Sequence, residues 1–139
     1  MSLTRMLIAG AVGGFLSILS SWAITGNLFH RYQRLTPETW RPEGPKQYAA
    51  SSVVQVLAGM AVGLLFFATG GVSHLAVQGW LASGVLFGFL AWLALASPVL
   101  VTNAIYIRLH RGVVTGLLLD SLVGLLLIAC ACAWAGVRG

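Results

Sequence analysis

Four long apolar stretches, separated by short polar segments, constrain the fold of this chain more than any other feature. They cover approximately residues 6–29, 48–70, 77–107 and 113–135. Each is longer than the roughly 20 residues that a helix needs to cross about 30 Å of hydrocarbon. Backbone groups in lipid must bond internally, and no stretch alternates apolar with polar residues as barrel strands do. The sequence therefore predicts an all-α, four-helix transmembrane bundle.

The composition supports the same class. Of the 139 residues, 58% are hydrophobic and 8% are charged, whereas a soluble domain carries about a quarter charged residues. The length suits one domain, so residues 1–139 are expected to form a single integral membrane domain. The net charge of +5 comes from few and scattered basic residues. This pattern argues against a nucleic-acid partner and predicts the lipid bilayer as the surroundings.

The first stretch also has features of a cleaved signal peptide. Arg5 precedes it, and Ser21-Trp22-Ala23 matches a small-x-small cleavage site. The apolar run continues to Phe29, however, which is too long for a typical signal core. We interpret it as a retained helix.

The distribution of basic residues predicts the orientation. Two loops hold six of the eight Lys and Arg residues, namely Arg31, Arg34, Arg41, Lys46, Arg108 and Arg111. The other two are Arg5 and Arg138, near the termini. The positive-inside rule then places both loops in the cytoplasm and both termini outside. We expect a multi-pass protein of the bacterial inner membrane.

The longest polar segment, residues 30–47, is predicted to be a cytoplasmic loop with a short interfacial helix. Thr36 is a candidate N-cap, Pro37 suits the first helical position, and Glu38 suits the first turn. Two prolines further along the segment limit the length of such a helix.

Pro98 lies inside the third stretch. A proline there removes a helical hydrogen bond and predicts a kink. The side chains of Ser97 and Thr102 are expected to help satisfy the freed carbonyls.

Small residues predict how the helices pack. Lipid supplies no hydrophobic driving force between helices, so close backbone approach at glycine pairs is a common contact. Each of the first three stretches has a G-x-x-x-G pair, and the fourth has two glycines two turns apart. These candidate packing residues are Gly10, Gly14, Gly59, Gly63, Gly84, Gly88, Gly116 and Gly124. They indicate a compact bundle, or a bundle that also forms a homo-oligomer or binds another membrane protein.

Asp120 is the one acidic residue within the four stretches. It lies about 12 Å from Gly112 along the helix axis, at 1.5 Å per residue. A charge near mid-membrane costs about 2.5–3.5 kcal/mol. Because Gly116 and Gly124 flank it on one helical face, Asp120 is expected to point into the bundle.

Two interpretations of Asp120 remain open. Either it is protonated and donates to Gln55 or Asn103, or it is ionised and pairs with Arg31 or Arg108. Each helix offers a polar side chain at comparable depth, which predicts an intramembrane cluster of Asp120, Asn103, Gln55, Asn27 and Tyr106. The serines at positions 20, 21 and 97 are interpreted as bonding to carbonyls of their own helices.

Other chemistry is not indicated. Cys130 and Cys132 point about 200° apart on a helix and are interpreted as small buried hydrophobic residues. No histidine pair has metal-ligand spacing, and no nucleophile elbow, phosphate loop or acid pair is present. We expect no metal, no cofactor and no enzymatic activity.

Several short motifs resemble a family of small bacterial four-helix membrane proteins known as domain of unknown function 1761. They are Trp22 with Phe29, "LTPE" at 35–38, "GFLAWL" at 88–93, "TNAIY" at 102–106 and a polar residue early in the fourth stretch. The family pattern has Asn followed by Tyr-His at that last place, whereas Asp120 is followed here by "SLVGL". The resemblance implies the topology and no activity.

Two functions are compatible with these features. The first is a structural or accessory subunit, or an oligomer-forming protein, that works through helix packing. The alternative is a small transporter or channel that uses Asp120 within a polar network in the inner half of the membrane.

Overall fold

The computed structural model describes residues 1–40, 44–73 and 79–138. Its helices are α1 (Leu3–Ala23), α2 (His30–Gln33), α3 (Pro45–Ala68), α4 (Trp80–Ala91), α5 (Ser97–Tyr106) and α6 (Arg111–Arg138). Two π-helical turns at Ile24–Leu28 and Trp92–Ala96 and a 3₁₀ turn at Pro37–Thr39 complete the regular elements. Within these three ranges the chain has no strand.

These elements form four spans. The first π turn extends α1, and the second π turn joins α4 to α5. The spans are Leu3–Leu28, Pro45–Ala68, Trp80–Tyr106 and Arg111–Arg138, and each is long and apolar enough to cross a membrane. The predicted all-α four-helix fold is confirmed. The predicted start of the third span at residue 77 lies outside the described residues.

The bundle has two ends. The basic end carries residues 29–40 and 107–110, and the termini end is where α1 begins and α6 ends. The two middle helices are α1, which packs against α3 and α6, and α6, which packs against α1 and α4. By contrast, α5 has no buried residue. The order across the bundle is therefore α3, α1, α6, α4, and α5 continues from α4 along the basic half of α6.

The apolar core lies toward the termini end. It consists of Ala9, Phe66, Val72, Phe87, Ala91, Ile128, Ala129, Cys132 and Ala133. The rings of Phe66 and Phe87 meet edge to face with centroids 4.9 Å apart, which brings α3 close to α4 at this end. Aromatic pairs in this geometry add to the packing energy beyond the area that they bury.

Local chemistry explains where the helices begin and end. Pro45 is the first residue of α3. A backbone N–H at this position would have no partner within the helix, so the proline costs no hydrogen bond. After α3, Gly70 and Gly71 adopt φ of 67° and 62°, the left-handed conformation that glycine accepts without strain. At the start of α6, the backbone N–H of Gly112 donates to His110 Nδ1 at 3.0 Å, so His110 caps this helix.

Two local predictions have mixed outcomes. A short turn does form at Pro37–Thr39, but Thr36 makes no side-chain cap bond there. Pro98 lies two residues after the end of the second π turn, whose wider winding accommodates a residue that lacks an N–H. The Ser97 hydroxyl donates to the Leu93 carbonyl at 3.1 Å, as predicted for a freed acceptor.

Candidate functional site

A polar groove separates α1 from α3 at the basic end. Its volume is about 740 Å³, which lies within the range of small-molecule sites. One wall is the second half of α1 with the first π turn and α2, and the other is the first half of α3. The side chains with polar atoms that line it are Ser21, Trp22, Thr25, His30, Gln33, Tyr48, Ser51, Ser52 and Gln55.

Hydroxyl groups spaced four residues apart make the α1 wall polar. Ser17, Ser21 and Thr25 lie on one face of the helix because residues i and i+4 are stacked along it. Thr25 Oγ1 donates to the Ser21 carbonyl at 2.8 Å and lies 3.3 Å from Ser21 Oγ. Ser17 Oγ lies 3.0 Å from Gln55 Oε1, which joins α1 to α3 at the deep end of the groove.

Asp120 reaches the groove through Ser21. The Ser21 hydroxyl donates to Asp120 Oδ2 at 2.9 Å, across the contact between α1 and α6. Ser21 lines the groove, whereas Asp120 lies on the far side of this hydroxyl. A carboxylate oxygen thus stands one hydrogen bond away from the groove, on the helix that forms the middle of the bundle.

The residue after Asp120 bonds to the opposite neighbour. Trp92 Nε1, in the third span, lies 3.0 Å from Ser121 Oγ and 3.1 Å from the Leu118 carbonyl. In this way α6 makes polar contacts with α1 and with the α4–α5 span at nearly the same level. Such interhelical bonds fix the rotation of α6 between its two neighbours.

A glycine contact closes the deep end of the groove. It consists of Gly10 and Gly14 on α1 with Gly59 and Gly63 on α3, all four buried. A Cβ built on Gly10 or Gly59 would overlap a backbone carbonyl oxygen of the facing helix, and one on Gly14 would stand 2.8 Å from the Gln55 carbonyl. The two backbones touch, so the groove ends where this contact begins.

The remaining predicted glycines also face other parts of the same chain. A Cβ on Gly84 would lie 2.7 Å from Cys130 Cα, and one on Gly88 would lie 2.9 Å from the Leu125 carbonyl oxygen. Gly116 faces the Phe29 ring, and Gly124 faces Ser17. All four are buried. Other parts of the same chain therefore fill the space next to all eight glycines. This geometry supports the compact-bundle interpretation.

The predicted polar cluster is not assembled as a unit. Asp120 and Gln55 both contact the serine face of α1, but each meets a different serine. Asn103 and Tyr106 are exposed on α5, and Tyr106 is 84% exposed. Asn27 is exposed and donates to the Trp22 carbonyl at 2.8 Å in its own span. Asn103 lies at the basic end of α5 beside Val114 and Leu117 of α6, so the structure does not bring it to the serine face of α1.

The predicted partners of Asp120 differ from the observed one. Its bond comes from Ser21, whereas Gln55 is bonded to Ser17. Arg31 donates to the Tyr32 hydroxyl at 2.9 Å, and its guanidinium lies 4.8 Å from the centre of that ring. Arg31 is thus held at the basic end by its neighbour.

The serines divide into two kinds. Ser20 and Ser97 donate to carbonyls of their own helices, as predicted. Ser21 was placed in the same class, but its hydroxyl bonds to Asp120 instead. The signal for the difference is the series Ser17, Ser21 and Thr25 at intervals of four, which marks one continuous polar face on an otherwise apolar helix.

Aromatic contacts hold the two basic segments together. The rings of Tyr32 and His110 stack with centroids 5.1 Å apart and an angle of 10°. A Cβ on Gly112 would clash with the Tyr32 ring, so glycine there lets α2 lie against the start of α6. This junction positions α2, which supplies His30 and Gln33 to the groove.

No family model, curated protein or solved structure matches the chain. The resemblance to the domain of unknown function 1761 family stays a prediction. The functional argument therefore depends on the groove and on the residues around it.

Proposed function

We propose that this protein is a small membrane carrier that binds a cationic solute in the polar groove. In this proposal the basic end faces the cytoplasm of a bacterial inner membrane and both termini lie outside. The six cations in the two basic loops support that orientation. The resemblance to the domain of unknown function 1761 family is compatible with it.

One observation carries the proposal: a polar groove enters the bundle from the basic end and stops at the glycine contact. A groove that is open at one end and closed at the other is the arrangement expected of one state of an alternating-access carrier. Release at the termini end would then require α1 and α3 to separate at the glycine contact.

The charge of the solute follows from the residues around the groove. Among the described residues, those that line the groove include neither Lys nor Arg, and Asp120 is the one acid in the sequence of the four spans. Intramembrane carboxylates commonly bind cations or protons. When a cation enters, Ser21 provides a hydroxyl oxygen to it while the carboxylate behind supplies the opposite charge.

Uptake of radiolabelled choline tests the proposal. The protein is reconstituted into vesicles of phosphatidylglycerol, which has no ammonium group, and uptake is compared with that of protein-free vesicles. We expect uptake by the native chain and a loss of about tenfold in Asp120→Asn, as about 1.4 kcal/mol of lost binding would give. Ser97→Ala is the matched control, because its hydroxyl bonds to its own helix on the other side of the bundle.

The proposal fails if Asp120→Asn takes up choline at the native rate. It also fails if native vesicles take up no more than protein-free ones. A general loss of folding is recognised separately, because it would lower the helical circular dichroism signal of the variant.

A second candidate is the accessory or oligomer-forming role. The observation that favours it is that α5 has no buried residue and carries an exposed Asn103 near the basic end. Amide side chains in membrane helices often bond across to a partner helix. This role predicts a stable oligomer or complex in mild detergent that Asn103→Leu dissociates, and a native chain that is uniformly monomeric would contradict it.

A further inference from the structure

The depth of the groove sets the first condition on what fills it. Trp22 lies six residues before the end of the first span at Leu28, and Ser51 lies six residues after the start of the second span at Pro45. At 1.5 Å per residue both lie about 9 Å from the end of their span, and spans of this length extend beyond the roughly 30 Å of hydrocarbon by only about 3–5 Å at each end. The two walls of the groove are therefore at the same depth, below the level of the headgroups.

The groove is open on its side as well as at the basic end. Trp22 is 71% exposed and Ser51 is exposed, although both line the groove. At this depth the surroundings of the bundle are acyl chains. Polar walls in contact with hydrocarbon lose the hydrogen bonds that water gives to their remaining lone pairs, which costs free energy. A polar occupant that enters from the bilayer removes this cost.

The surface beside the groove is apolar. On α1, Phe15 and Leu19 are 57% and 52% exposed, and on α3, Val53 and Val54 are 58% and 63% exposed. A polar floor between two apolar margins matches a molecule with a polar head and apolar chains. Membrane lipids have this form and surround the protein at high concentration.

The charged and aromatic groups in and around the groove favour one class of lipid headgroup. Ser21 uses its proton toward Asp120, so its oxygen lone pairs can accept from an ammonium group. The rings of Trp22 and Tyr48 line the same groove and attract cations through their faces. Lys46, two residues before Tyr48, lies toward the mouth, where it suits a phosphate.

We infer that the groove binds the headgroup of an aminophospholipid, with the ammonium toward Ser21 and Asp120 and the phosphate toward the mouth. The inference rests on the proposed function in that the same groove takes up a cation, and it names a membrane lipid as the source of that cation. The acyl chains then lie along the exposed margins of α1 and α3.

Native mass spectrometry tests the inference. The full chain is placed in nanodiscs of equal parts phosphatidylethanolamine and phosphatidylglycerol, released into mild detergent and weighed with its retained lipid. We expect one phosphatidylethanolamine per chain, retained over phosphatidylglycerol by about tenfold. Asp120→Asn should retain both lipids about equally, because it removes the charge that distinguishes them.

Two matched variants separate the groove from the general lipid shell. Ser52→Phe places a ring inside the groove and should lose the retained lipid. Val99→Phe adds the same ring to the exposed face of α5, where Val99 is 58% exposed, and should retain it. If Ser52→Phe does not fold, photo-crosslinking of a diazirine-labelled phosphatidylethanolamine to the native chain gives the same answer: labels near Trp22 and Ser51 support the inference, and labels spread over α5 contradict it.

Further results of the lipid-retention measurement also test the inference. Retention of neither lipid, equal retention of both by the native chain, or a dimer mass without lipid would overturn the inference. Displacement of the lipid by an excess of free ethanolamine would show that a water-soluble ammonium compound is the ligand. Choline uptake that persists in these cases would leave the carrier proposal standing, whereas lipid retention without choline uptake would reject the carrier and keep the lipid site.

Discussion

The two halves of the bundle differ in how closely α1 approaches α3 and in which residues lie between the two helices. Toward the termini end, α1 and α3 touch through the backbone at Gly10 and Gly59, and apolar side chains fill the space between the helices. Toward the basic end, the same two helices stand apart and line a groove of about 740 Å³ with hydroxyl, amide and aromatic groups. The change occurs within one turn, between Gly14 and Ser17.

A short bundle can combine stability with a binding site by giving each of the two roles to one half of its length. Glycine contacts let helices associate in lipid without a hydrophobic driving force. Once one half holds the helices together, the other half can keep polar groups that would otherwise be unfavourable in a membrane.

The largest expected effect is at the glycine contact. Gly59→Ala puts a methyl group onto a backbone carbonyl of α1, which cannot move without the helix. We expect the free energy of unfolding in mild detergent to fall by about 1–3 kcal/mol. Gly26→Ala is the matched control in the groove half, because the nearest atom to its new methyl group is Trp22 Cδ1 at 3.6 Å. Equal losses in the two variants would contradict the division.

The next effect concerns the bond between α1 and α6. A double-mutant cycle with Ser21→Ala and Asp120→Asn should give a coupling energy of about 0.6–1.7 kcal/mol, the range for interhelical hydrogen bonds in membranes. The same cycle with Ser20→Ala should give none, since the Ser20 hydroxyl bonds to the Ser17 carbonyl of its own helix. Thermal unfolding of the six proteins in the two cycles, which share the native chain and Asp120→Asn, measures both couplings. A coupling near zero for Ser21 would remove the link between the acid and the groove.

A smaller effect is expected on the other side of α6. Trp92→Phe keeps the aromatic ring but removes the N–H that lies near Ser121 and the Leu118 carbonyl. The expected loss in the free energy of unfolding is about 1 kcal/mol. Trp134→Phe serves as control, because Trp134 is 46% exposed near the termini end. If the two variants are equally stable, the indole bond does not fix α6.

The smallest effect is at the basic end, where water competes for polar groups. His110→Ala removes the cap on Gly112 and the stack on Tyr32. We expect a loss of about 0.5 kcal/mol, at the low end for helix caps. His110→Asn restores an acceptor and should recover part of it, while Thr115→Ala, whose hydroxyl bonds to its own helix, should cost less. No difference among these three would argue against the cap.

The sequence predicts much of the closed half and little of the groove. Four spans follow from apolar length alone, and the glycine pairs identify surfaces of close approach. Asp120 was expected to face inward because of its glycine neighbours, and it does contact α1. These inferences need only the spacing of residues along one helix.

The groove depends on how helices are rotated and which of them are neighbours. Membrane helices are apolar on nearly every face, so hydrophobic periodicity does not fix their rotation as it does in soluble proteins. The exposed position of Asn103 follows from the placement of α5, which packs against α6 but buries none of its residues, and no local pattern indicates this. The spacing of Ser17, Ser21 and Thr25 in the sequence does indicate the polar face of α1, part of which lines the groove.

The central claim is that a polar groove enters the basic half of the bundle and ends at the glycine contact. The most direct test is to label single cysteines with a water-soluble, membrane-impermeant maleimide in phosphatidylglycerol vesicles, which contain no aminophospholipid to fill the groove. The native chain is the blank, since Cys132 is buried and Cys130 is partly buried in the other half. The account predicts that Ser52→Cys reacts much faster than its neighbour Val53→Cys, which faces the acyl chains. Equal and slow labelling of the two positions would contradict it.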